Sequence, residues 1–283
     1  MSLLARLTLS CLFLLLLAGP AAAGFWPHES RVPGGIALLE VPQQTQAAPQ
    51  VFFDGHRVYT ARRDGRWYAW VGIPLDQSPG QTQALWRTRD GDLPLTFVVE
   101  DKQYPAQHLD VDYQYVALSD EDLARVRREL PELRGAMNAF RPVSEDLPVR
   151  IQQPLEGRVS SLFGFRRVFN GEPRNPHSGL DIAAPLGTPV KAVFPGKVTA
   201  RNHYFFNGKT LVIDHGLGMT SMYCHLDGFA DLQPGDRVSA GQVIGQVGTT
   251  GRSTGPHLHW TMTLNAARVD PQLFIAPENR PQE

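Results

Sequence analysis

The segment Thr254-Gly255-Pro256-His257-Leu258-His259-Trp260-Thr261 sets two imidazoles two residues apart. In an extended strand successive side chains alternate faces, so His257, His259 and Thr261 share one face while Leu258, Trp260 and Met262 pack the other. Two neutral imidazoles side by side form half of a metal site, because His is the commonest side-chain metal ligand. The other half is sought in Pro176-His177-Ser178-Gly179-Leu180-Asp181, where a His and a carboxylate lie four residues apart. Gly179, Pro176 and Pro185 argue against a helix, so this pair is expected on a loop and the start of a strand. His177, Asp181 and one of His257 or His259 supply two nitrogens and one oxygen, the three-ligand type of site that keeps a position open for water. Zinc in such a site lowers the pKa of bound water from about 15.7 to near 7, which makes hydroxide available to attack a carbonyl. The same donor set suits non-haem Fe(II), but nothing in the sequence points to the cosubstrate site that iron–oxygen chemistry requires. Spacing alone does not choose between His257 and His259.

Other chemistry-bearing residues read more plainly. Cys224 stands next to His225, yet strand neighbours point to opposite faces, so the two are not expected to act together and Cys224 reads as a small buried hydrophobe. His203 and His215 read as turn or surface residues, and His56 and His108 stand alone. Arg166, Arg167 and Asn170 are placed on a loop just ahead of His177, where they are candidates for substrate contact.

These residues need a scaffold, and the sequence from 155 to 275 supplies an all-β one. Strands are expected over Gly157 to Gly164, Thr188 to Ala200, Thr210 to Asp214, Met219 to Leu226, Val238 to Val247 and His257 to Leu264. Pro195-Gly196, His215-Gly216-Leu217-Gly218 and Pro234-Gly235-Asp236 mark turns between them. No glycine-rich strand-to-helix phosphate loop is present, which excludes a nucleotide-binding α/β fold. Ahead of this antiparallel β-sheet domain, residues 24–117 read as a small β-sandwich of immunoglobulin-like type, with Asp54-Gly55, Asp64-Gly65 and Asp90-Gly91 as hairpin turns. Val51 to Phe53, His56 to Ala61, Trp67 to Val71 and Leu95 to Val99 are its clearest strands, and for Trp67, Tyr68 and Trp70 core packing is expected ahead of the alternative, a stacking role in sugar binding. Residues 118–154 read as a helix followed by a linker. Ser119 caps the helix, acids fill its first turn, and Pro131 should end it, kink it or open a second turn running on to about Phe140. The stretch from Arg141 to Pro154 reads as a spacer, and 276–283 as a tail.

Residues 1–23 have the layout of a secretory signal peptide: Arg6, an apolar run too short to span a bilayer, then Ala21-Ala22-Ala23. An exported chain without a stable membrane span is expected. Of the two cysteines, Cys11 leaves with the signal, so no internal disulfide can form and stability must come from core burial or a metal. A net charge of −1 gives no sign of nucleic-acid binding.

The segments His177-Ser178-Gly179-Leu180-Asp181, Met222-Tyr223-Cys224-His225-Leu226 and Gly251-Arg252-Ser253-Thr254-Gly255-Pro256-His257-Leu258-His259, in that order, resemble the M23 (LytM or lysostaphin-type) zinc metallopeptidases over about residues 155 to 275. The resemblance implies one Zn2+ held by His177, Asp181 and His259, with His225 and His257 as the catalytic pair. It implies an endopeptidase that hydrolyses cross-links or stem peptides of peptidoglycan, most naturally in a periplasm. It also leaves open a catalytically silent relative that binds cell wall or activates another hydrolase, although such relatives have typically lost ligands. The region ahead of the peptidase is expected either to dock over the cleft or to position the enzyme on the wall.

Overall fold

The computed structural model describes residues 26–110, 118–143, 151 and 153–275. The signal-peptide reading of 1–23 and the tail at 276–283 therefore lie outside the described residues, as does most of the linker.

Alternation along Ile36–Val41 explains the N-terminal unit. Ala37, Leu39 and Val41 point one way and join Val51, Phe53, Ala69, Val71, Ala84, Phe97 and Val99 in one core. That core lies between two antiparallel sheets. One orders Ile36–Val41, Arg66–Gly72 and Tyr59–Arg63; the other orders His56–Arg57, Gln50–Phe53, Gly80–Thr88 and Gly91–Val99. The result is a sandwich; an immunoglobulin-like strand arrangement is not established by these two sheets. The expected strand from His56 to Ala61 is split at Val58, whose N still donates to Val51 O at 2.9 Å and whose side chain is buried in the core.

The opposite face of the three-stranded sheet is also buried. Ile36, Tyr59 and Trp70 belong to the apolar cluster of the C-terminal region, where Trp70 stacks on Tyr59 at 4.4 Å between centroids. Asn265 seals this junction: its Oδ1 accepts from Gly72 N at 2.7 Å and its Nδ2 donates to Gly72 O at 3.0 Å. The sandwich is thus joined to the following region by an apolar, hydrogen-bonded contact.

The C-terminal region is one ten-stranded sheet in which all the recorded pairings are antiparallel. Its central run is Gly208–Asp214, Met219–Phe229, His257–Leu264, Leu180–Ala183 and Arg158–Ser161. Leu258, Trp260, Met262 and Leu264 lie in the core with Leu180, Ile182, Leu211, Ile213 and Tyr223, as the alternation requires.

The other face of the sheet carries the helix Asp120–Met137, which packs Leu133, Ala136 and Met137 on Val212, Met222 and Cys224. Ser119 caps it by accepting from Asp122 N at 3.1 Å. The helix neither ends at Pro131 nor needs a second start there. An interior proline costs about 3 kcal/mol, and tertiary contacts on both sides of it compensate. Glu129 accepts from Phe205 N at 2.7 Å, Glu132 from the Tyr204 hydroxyl at 3.0 Å, and the Met137 carbonyl from Thr220 Oγ1 at 3.0 Å. Nor is Arg141 part of a free spacer, since its Nε lies 3.0 Å from the buried Asp214 carboxylate.

Candidate metal centre

Register builds the site. Asp181 and Cys224 flank His259 as its partners on the two neighbouring strands, so all three side chains emerge on one face of the sheet. His177 is brought in by the loop before Leu180–Ala183, clamped where His177 N donates to Phe165 O at 2.9 Å and Gly164 N donates to His177 O at 2.7 Å. Gly179 allows the approach, because a Cβ there would lie 2.6 Å from His259 Cε1 and Nε2.

Three ligand atoms converge. His177 Nε2 is 3.0 Å from Asp181 Oδ1 and 3.1 Å from His259 Nδ1, and His259 Nδ1 is 2.7 Å from Asp181 Oδ1. The tautomers follow from the outer partners. His177 Nδ1 faces the Leu162 carbonyl at 2.7 Å, and a carbonyl only accepts, so this nitrogen carries the proton and Nε2 presents a lone pair inward. Thr261 Oγ1 faces the Ser178 carbonyl at 3.3 Å and so donates there, which leaves it to accept from His259 Nε2 at 3.1 Å; His259 Nδ1 then also presents a lone pair. Burial, opposed by the Asp181 carboxylate, lowers the His259 pKa to about 4 and keeps the ring neutral. Three acceptor atoms aimed at one point, with their outer sides tied to protein groups, form a donor set that fits a divalent cation such as zinc.

His225 and His257 stand beside this set. Their ring centroids are 4.8 Å apart, and that of His225 is 6.1 Å from His259. Each fixes its tautomer on a backbone carbonyl, His225 Nδ1 on Thr250 O and His257 Nδ1 on Gly255 O, both at 2.8 Å. Each ring therefore keeps Nε2 free to accept a proton. Burial, with the neighbouring His259 and His257, lowers the His225 pKa to about 4.

The alternation argument for Cys224 fails locally. His225 has φ of 60°, in the left-handed region, and the ladder shifts register beside it, so His225 reaches the same site as the partner of Cys224. Cys224 is nonetheless no nucleophile. It is fully buried, and burial pushes its thiol up to about 11.

His215 is not a surface residue either: it is fully buried, with Nδ1 2.8 Å from Pro195 O and Nε2 2.8 Å from Ser221 Oγ. His203, His56 and His108 are exposed. Arg166 and Arg167 lie in a strand, Arg166–Phe169, and not in a loop, because this segment pairs in parallel with Ala106–Leu109 of the N-terminal region. Asn170 follows at a turn, with φ of 50°.

Sequence reading missed the role of Arg167. Its Nη2 lies 3.4 Å from Asp181 Oδ2, so the oxygen that faces away from the imidazoles meets a cation. A second arginine following Arg166 was the only available sign.

Four imidazoles and a carboxylate thus gather on an antiparallel sheet, and His177, Asp181 and His259 bring their ligand atoms within 4.8 Å of one another. The chain belongs to peptidase family M23: the profile of that family matches residues 175–271, and the profile of the M23 N-terminal domain matches 29–102. A crystal structure from Pseudomonas aeruginosa, assigned to peptidase M23, is 40% identical, with a TM-score of 0.72 over 87% of this chain and 96% of that one. The DD-carboxypeptidase/endopeptidase Mpg of Neisseria meningitidis is 42% identical over 120 residues, 42% of this chain and 27% of Mpg. The peptidoglycan DD-endopeptidase ShyC of Vibrio cholerae is 37% identical over 131 residues, 45% of this chain and 30% of ShyC. The chain therefore spans less than a third of the length of these curated relatives.

Proposed function

We propose that the chain is an exported, periplasmic, zinc-dependent endopeptidase that hydrolyses peptide cross-links or stem peptides of peptidoglycan. The observation that carries this reading is the convergence of His177 Nε2, Asp181 Oδ1 and His259 Nδ1 beside the His225 and His257 rings. The names of Mpg and ShyC support the substrate class. Among the described residues, no helix is long and apolar enough to cross a membrane.

His177, Asp181 and His259 would hold the zinc. When bound, it supplies a Lewis acid that acidifies water and polarises a scissile carbonyl. His225 and His257 carry the proton traffic. An imidazole whose Nδ1–H is fixed on a backbone carbonyl can take the proton of an attacking water at Nε2, then return it to the leaving amine or hydrogen-bond the developing oxyanion. No His-Glu-x-x-His motif is present, so imidazole does what a glutamate does elsewhere. Arg167 holds Asp181 Oδ2 and thereby orients Oδ1 inward. The N-terminal region walls and positions the cleft, since Ala106–Leu109 supplies the parallel partner of the strand that carries Arg167.

The test is His225→Ala. The variant should retain stoichiometric zinc by elemental analysis and lose about two to four orders of magnitude in turnover, the usual contribution of a general acid–base. Zinc loss in this variant would move His225 into the ligand set, and parent-level turnover would remove it from the mechanism. A cell-wall binder without activity would show no chelator-sensitive peptide release from the parent chain.

A further inference from the structure

Beside the metal centre runs a groove of about 1120 Å³ that none of the roles above uses. Three parts of the chain wall it: the sandwich through Asp54 and Asp76, the helix through Leu130 and Arg134, and the peptidase region through Phe206, in a turn, and Arg268. Its rim includes Asn175, Pro176 and Ser178, the residues on either side of His177. Leu130 and Phe206 are exposed there at 37% and 42%, an apolar floor open to a ligand.

The charges are sorted by wall. Arg268 donates from Nη1 to Ser178 Oγ at 2.9 Å, and Nη2 lies 3.9 Å from Met137 Sδ. Among the described residues neither Arg268 nor Arg134 has a carboxylate partner, and Asp54 and Asp76 across the groove have no cationic one. Arg268 also stands on the right face. It pairs with Thr263, which shares a strand face with His259 four residues away, about 13 Å at the usual rise. The bond to Ser178 shows the guanidinium turned back along that distance, toward the metal ligands.

We infer that this groove is a substrate subsite for a charged branch of the peptide, whose free carboxylate is taken by Arg268 and Arg134 and whose ammonium faces Asp54 and Asp76. This rests on the peptidase reading and deepens it: the preferred substrate carries a zwitterionic amino-acid end close to the amide that is cut. Arg268 is a specificity residue here. Its guanidinium offers the planar pair of donors that suits a carboxylate.

The experiment uses the full chain, zinc-loaded, with two synthetic cross-linked peptides that are identical except that the branch carboxylate is free in one and amidated in the other. The parent should favour the free carboxylate by about tenfold or more in kcat/KM, the worth of a hydrogen bond to a charged group. Arg268→Ala and, independently, Arg134→Ala should lower that ratio toward one, chiefly through KM, with zinc content unchanged. Arg268→Lys should keep part of the preference. Equal cleavage of both peptides by the parent overturns the subsite and leaves the peptidase intact, and so does an unaltered preference in both alanine variants. Cleavage of neither peptide overturns the peptidase reading itself.

Discussion

Gly179→Ala is the smallest change that strikes the metal centre without removing a ligand. The added Cβ would sit 2.6 Å from His259 Cε1 and Nε2 and 2.7 Å from the Trp260 carbonyl oxygen, whereas ordinary contact begins at 3.4 Å. The His259 ring or the 177–181 loop must therefore yield by about 0.8 Å. The backbone carbonyl belongs to a buried strand and cannot give way, so the 177–181 loop that carries His177 and Asp181 must shift, and the His259 ring with it. Metal–ligand distances tolerate only about 0.2 Å, and a misplacement of about 1 Å near the chemistry costs on the order of 100-fold in rate. The substitution should weaken zinc binding measurably by competition with a chromophoric chelator and cut turnover about 100-fold, while circular dichroism of the zinc-free protein stays that of the parent. A Gly179→Ala protein with parent zinc affinity and parent turnover would refute the packing argument and, with it, the assignment of His259 Nδ1 to the metal.

Two more outcomes follow from burial and charge. His225 and His259 both have folded pKa values lowered to about 4, against about 6.5 for an unfolded chain, so between these values the unfolded state binds more protons and stability rises with pH. Urea midpoints of the chelator-treated protein should climb from about pH 4 to about pH 6.5 and level off above; a flat profile in that window would mean that the two rings are solvated. Trp70→Ala should destabilise by about 3 to 5 kcal/mol and shift one cooperative transition, because Trp70 packs in the core that joins the sandwich to the peptidase sheet. Two separate thermal transitions, only the lower of them shifted, would show that the junction is not structural.

The convergence of His177, Asp181 and the 257–259 strand was legible because its parts are short-range patterns, although spacing left His257 and His259 equal candidates for the third position. Alternation along His257–Leu264 assigns each side chain to a face, and the strand has the bounds that the pattern gives. Glycine and proline around His177 excluded a helix, and the pair does lie on a loop and a strand start. What escaped depends on partners distant in sequence. Arg166–Phe169 becomes a strand only because Ala106–Leu109 lies beside it in parallel, and nothing local to residue 166 announces that. The left-handed His225 follows from a register shift between neighbouring strands. His215 looked like a turn residue, yet backbone and hydroxyl groups satisfy both its nitrogens in the core. The helix passes through Pro131 on the strength of bonds to residues more than seventy positions later. Hydrophobic pattern alone likewise could not tell that Ile36, Tyr59 and Trp70 face a second unit instead of solvent.

The central claim is tested most directly by mass spectrometry of fragments released from purified cross-linked peptidoglycan by the protein, with and without a chelator. Cross-linked dimers should fall to monomers, stop doing so when the chelator is added, and resume when zinc is restored. Release that persists through chelation, or no release from either the full chain or the region after residue 150, would contradict it.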